Sequence, residues 1–113
     1  MITVEEEEAE QQVYNDIKHE LAEFALLHLE NNYGDEIKEQ PILKKIANKW
    51  KESKLLTEDT DMTAELKSIY LKIIQEQRKW LVKKNKKDTK IDDRIIRRHL
   101  HHLDMEEEKI KFL

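Results

Sequence analysis

The chain reads as all-α: about four amphipathic helices packed as a bundle. Three observations predict this. Only one Gly and one Pro occur in 113 residues, too few turn-formers for a sheet. Apolar residues recur at spacings of three and four along most of the chain. Charged residues make up 41% of the sequence against 38% hydrophobic, a balance that suits thin amphipathic helices better than a thick globule. At this length a single domain over residues 1–113 is expected.

The first helix is placed over residues 4–31. Val13, Ile17, Leu21, Phe24 and His28 form its stripe, widened by Tyr14 and Ala25. The acidic run Glu5 to Glu8 falls in its first turns, where the helix dipole favours negative charge. Asn31, Asn32 and Gly34 are its expected stop, because Asn and Gly accept the left-handed conformation that ends helices.

The second helix is placed over 36–53, capped by Asp35. Pro41 either interrupts it or marks the first turn of its main part, with Leu43, Ile46, Ala47 and Trp50 on the buried side. Thr57 to Asp61 read as a loop ending in an N-cap at Thr60 or Asp61. A third helix over 61–85 has the clearest periodicity: Met62, Leu66, Ile69, Tyr70, Ile73, Ile74, Trp80 and Leu81, with Gln77 diluting the stripe. Leu21, Phe24, Trp50, Leu66, Ile69 and Ile73 are expected to be buried together. A fourth helix over 91–103, or longer, would be capped by Asp88 or Thr89.

Charge is segregated along the chain. Residues 1–40 carry 2 Lys against 12 acids, whereas residues 41–100 carry 17 Lys/Arg against 9 acids. Arg78 to Arg98 alone holds ten Lys/Arg and three Asp. Such density suits an anionic lipid surface. It argues less well for nucleic acid, since Trp80 is its only aromatic and lies on the apolar stripe, so no nucleic-acid partner is expected. Long amphipathic stripes with a low hydrophobic content predict self-association.

Several function classes find no support. With one Gly there is no phosphate-cradling loop and no dinucleotide fingerprint. Without Cys there is no thiol nucleophile, disulfide framework or zinc ribbon. Ser53 and Ser68 have no histidine at a triad-like position. Neither catalytic residues, a cofactor nor a metal site is therefore expected, and the chain is read as binding or regulating. The longest uninterrupted apolar run, Phe24 to Leu27, is far short of a membrane span.

His99, His101 and His102 are three of the five histidines. On a helix His99 and His102 share a face, as do His102 and Glu106 if the helix continues through Asp104. Structural zinc sites usually bring four ligands and often Cys. Imidazoles titrate near neutrality, so the three are candidate pH-sensing residues over about pH 5.5 to 7.5.

The stretch from Ile91 to Ile110 is more specific than periodicity requires. Ile91, the acidic pair Asp92-Asp93, the apolar pair Ile95-Ile96 and the basic pair Arg97-Arg98 precede Leu103-Asp104-Met105-Glu106-Glu107. This order resembles, without a gap, the C-terminal signature of bacterial sodium/proton antiporters of the monovalent cation:proton antiporter-1 family. Upstream, Gln77-Arg78 and Trp80-Leu81 are similar to that family's preceding helix. The family's turn commonly holds Gly where Asn85 to Lys90 has none, and the histidines stand at positions usually apolar or charged. The resemblance implies a cytoplasmic regulatory or assembly domain at the inner face of the cell membrane. Its partners would be the membrane domain of the same antiporter, which holds the ion pathway, and, from that family's dimeric habit, a second copy of this chain in a homodimer. The alternative class is a free-standing cytosolic helical adaptor or nucleic-acid-associated protein.

Overall fold

In a computed structural model, which describes residues 3–52 and 63–112, four helices and no strand occur among the described residues. The first, α1, spans Val4–Glu39 and is opened by Thr3, whose Oγ1 accepts the Glu6 amide at 3.1 Å. Glu5, Glu6 and Glu7 lie in its first turn, where they meet the unpaired amides of the helix start.

The expected stop at Asn31 to Gly34 is a kink and not an end. Tyr33 alone leaves helical geometry (φ −134°, ψ 25°), and the helix resumes to Glu39. Just before the kink, Asn32 Nδ2 donates to the His28 carbonyl at 2.8 Å, a side-chain intrusion of the kind that bends helices. Gly34 does not take the left-handed conformation. Asp35 lies inside α1, so it caps nothing.

The second helix, α2, spans Pro41–Glu52. Proline at its first position needs no hydrogen-bond partner for a missing N–H, and Gln40 O accepts the Leu43 amide at 3.1 Å. Pro41 therefore marks the first turn, and residues 36–39 belong to α1. Ser53, and the expected caps Thr60 and Asp61, lie outside the described residues.

The third helix, α3, spans Ala64–Lys87 and is capped by Thr63, whose Oγ1 accepts the Leu66 amide at 3.2 Å. It therefore starts later than residue 61. Asp88 closes α3, donating its amide to Lys84 O at 2.9 Å, and its carboxylate accepts the Lys90 amide. Because Asp88 serves the turn, the cap of the last helix falls to Asp92, which accepts the Arg94 amide at 2.9 Å. That helix, α4, spans Asp93–Lys111, eight residues beyond the expected end at Leu103. Nothing between Asp104 and Lys111 breaks a helix, and Ile110, one heptad after Leu103, is fully buried.

Pairings along the helices fix their directions. Lys84 meets Glu20, and Gln77 meets Leu21, on α1. Asn85 pairs with Asp93, and Arg78 with Asp104, on α4. Thus α3 runs antiparallel to both. Glu10 pairs with Arg94 and Tyr14 with His99, so α1 and α4 run parallel. Helix α2 packs against α1 after the sharp turn at Gln40. The result is an elongated all-α bundle, 50 × 27 × 20 Å.

One core joins all four helices. It is centred on Tyr70, Ile73, Ile74 and Leu81 of α3, with Ile17, Leu21, Ala25 and Leu29 from α1. Leu43, Ile46 and Trp50 enter from α2, and Ile95, Ile96, Leu103 and Ile110 from α4. Of the six residues expected at its centre, Leu21, Trp50, Leu66 and Ile73 are buried. Ile69 packs at the edge, half-buried. Phe24 is also half-buried, its ring 6.2 Å from that of Trp80.

Candidate functional site

The C-terminal helix brings its polar residues to three separate environments. His99 points inward. It is 3% exposed and stacks on Tyr14 of α1, with ring centroids 4.1 Å apart and 13° between planes. Its Nε2 lies 3.1 Å from the Tyr14 carbonyl, so Nε2 carries the hydrogen and donates it. Burial pushes the His99 pKa down to about 4, helped by the positive charges of His102, Arg98 and Lys18, while the hydrogen bond to Tyr14 opposes the shift. His99 therefore stays neutral through the interval expected for a sensor near neutrality.

His101 and His102 are exposed. The face expected to be common to His99 and His102 exists, since both line one cleft between α1, α2 and α4, and Glu106 lines it too. His101 turns away onto an outer groove shared with Met105 and Phe112. Among the described residues no group of three or more His, Cys, Asp or Glu is placed to hold a metal ion.

The second environment is a polar cluster inside the bundle. Glu106 of α4 accepts from the Tyr70 hydroxyl of α3 and pairs with the Lys49 ammonium of α2. Lys49 also donates to the Tyr70 oxygen. The Lys49 and Glu106 side chains keep only 9% and 17% of their exposure. Trp50 stacks on Tyr70 at 5.2 Å and 16°, and Lys49 Nζ sits 4.9 Å from the Tyr70 ring centre. Burial, reinforced by Lys109, lowers the Lys49 pKa to about 7, and burial raises that of Tyr70. The cluster ties α2, α3 and α4 together through groups largely withdrawn from water.

The third is a surface clasp. Arg78 of α3 reaches Asp104 at 2.7 Å and also Glu107, both on α4. The Arg78 hydrogen bond holds Glu107 below the usual carboxylate range. The stretch Leu103-Asp104-Met105-Glu106-Glu107 is thereby accounted for residue by residue. Leu103 is in the core, Asp104 and Glu107 hold Arg78, Glu106 holds Lys49 and Tyr70, and Met105 is 57% exposed.

Gln77 lies beside this clasp, 3% exposed, with Nε2 donating to the Leu21 carbonyl at 3.2 Å. Its Oε1 is buried without a partner, a rare and costly state for a polar atom. Gln77 was visible in the sequence as a polar interruption of the α3 stripe. Lys49 and Tyr70 were visible only as a helix-surface lysine and a core aromatic, because Lys49 and Tyr70 lie 21 residues apart and Tyr70 and Glu106 lie 36 apart.

No helix among the described residues is long and apolar enough to cross a membrane. Comparison of the chain with models of known protein families, with curated proteins and with solved structures finds no match.

Proposed function

We propose that the chain is the cytoplasmic C-terminal regulatory and assembly domain of a monovalent cation/proton antiporter, outside the ion pathway itself. The observation that carries this reading is the ungapped resemblance of Ile91 to Ile110 to the antiporter tail signature. What gives it physical weight is that its polar residues have defined work. Arg78, in the helix that resembles the one preceding the signature, clasps Asp104 and Glu107. Glu106 closes the buried cluster with Lys49 and Tyr70. Contacts that lock one helix of a bundle are what a tail domain needs in order to fold.

In this role the domain acts through its fold. The clasp and the cluster set whether α4 is docked on α2 and α3, and the lysines at the α3–α4 turn face anionic headgroups or a second tail. Lys83, Lys86 and Lys87 lie at the C-terminal end of α3, and Lys90 in the turn that leads to α4. A cluster of this kind adds about 1 kcal/mol per residue near an anionic leaflet. His101 and His102 are both exposed on α4.

The test is sodium-driven proton movement in everted vesicles holding the full-length transporter, with and without Arg78→Gln and Glu106→Gln in the tail. The expected result is a shifted pH profile or reduced rate with the transporter still inserted. Unchanged exchange for both variants, at equal membrane levels, would remove the tail from regulation.

A further inference from the structure

The cleft between α1, α2 and α4 has features that the proposed role does not use. It encloses about 270 Å³. At roughly 30 Å³ for a water-sized group, that is room for about nine heavy atoms. Leu21, Ala22, Trp50 and Leu103 form its apolar walls. Its charged and titratable lining is one-sided. Lys18 comes from α1, Lys49 from α2, and His99, His102 and Glu106 from α4; α3 adds only the uncharged Gln77.

The single acid, Glu106, is already engaged by Lys49 and Tyr70. Neither Lys18 nor His102 has an ion pair among the described residues. Arg98 adds a further positive charge close by, its guanidinium 4.4 Å from the Tyr14 ring centre. Burial is the main cause of the depressed pKa of His99; the hydrogen bond to Tyr14 opposes it, and Arg98 and Lys18 are among the smaller charge effects that add to it. An apolar pocket with unanswered positive charge at its mouth is complementary to one kind of occupant: an apolar body ending in a negative group. Gln77, whose Oε1 is buried without a partner, lines the cleft from α3.

We infer that the cleft lined by Lys18, Trp50, His102 and Leu103 is a binding site for a small amphipathic monocarboxylate. The chain lies against Leu21, Ala22, Trp50 and Leu103, and the carboxylate meets Lys18 and His102. A short medium-chain acid has the right size. The site stands on the cleft alone and is independent of the antiporter reading.

Three eight-carbon probes distinguish this occupant from others: octanoate, octylamine and octanol, each titrated into the full chain while amide and indole resonances are followed by NMR. Octanoate is expected to shift Lys18, Ala22, the Trp50 indole and Leu103, and to bind at least about tenfold more tightly than octylamine, a gap of about 1.4 kcal/mol. Replacing the two exposed hydrogen-bond donors at the mouth, Lys18→Gln with His102→Gln, is expected to weaken octanoate by about fivefold or more while octanol is unaffected. These residues lie on the surface, so the fold is retained and the unliganded spectrum checks it. Any of the following results would overturn the site. One is equal or tighter binding of octylamine or octanol. Another is an octanoate response confined to the lysines of the α3–α4 turn. The last is unaltered octanoate binding by the double variant, or none by the wild type at millimolar concentration.

Discussion

Acid should unfold this domain through His99, and the size of the effect follows from its position. The imidazole is stacked on Tyr14 and almost sealed from solvent, and its pKa falls from 6.5 to about 4, chiefly through burial. The unfolded chain therefore binds the proton more tightly than the folded one. Above about pH 6.5 both states are neutral and the stability contribution is complete. It is lost as pH falls toward 4, below which both states carry the proton. Each tenfold difference in proton affinity is about 1.4 kcal/mol, so the loss is up to about 3 kcal/mol between pH 6.5 and 4. For a domain of this size that is a fall in Tm of about 10 °C. Other carboxylates titrate in the same interval, so the informative quantity is the difference from His99→Phe, which keeps a ring on Tyr14 and cannot titrate. Thermal melts followed by circular dichroism from pH 4 to 7.5 should show the wild type losing stability faster than the variant toward acid. Parallel profiles would refute the buried, neutral His99.

Three further outcomes follow from the same packing. Glu106→Gln leaves the Lys49 ammonium buried without its carboxylate, at a cost of about 3 kcal/mol; because Lys49 titrates near 7, urea denaturation should show a smaller cost at pH 9 than at pH 6. Gln77→Met removes an unpartnered buried oxygen at nearly constant volume and should leave the urea midpoint unchanged or raise stability by up to about 1 kcal/mol. Gly34→Ala meets open space within 4 Å and no positive φ, so it should raise Tm through a gain of about 0.5 to 1 kcal/mol; a fall would mean that Gly34 does end the helix.

The helices and most of the core were legible in the sequence because both follow from local periodicity. Pro41 and the stripe of α3 are where the spacing puts them. The end of α1 was not legible, since Asn31, Asn32 and Gly34 carry stop chemistry that the packing of residues beyond Tyr33 overrides: Ile37 packs against the core, on the far side of the kink. The cap of α4 moved from Asp88 to Asp92 because two Asp residues competed and the turn took the first. The histidine segment showed its composition but not its inside and outside; which of the three faces Tyr14 depends on the rotation of α4, fixed by Ile95, Ile96 and Leu103. Lys49 was hidden for a plainer reason. A lysine beside Trp50 on an amphipathic helix reads as solvated until Glu106 is brought to it from across the bundle.

The measurement that tests the central claim most directly is the reading of the coding sequence on the 5′ side of Met1. The account predicts that the frame continues upstream into a series of apolar segments, each of about 20 residues, that can span a bilayer. A ribosome-binding site and a stop codon immediately upstream, with no such segments in frame, would contradict it and make the chain a free-standing helical protein.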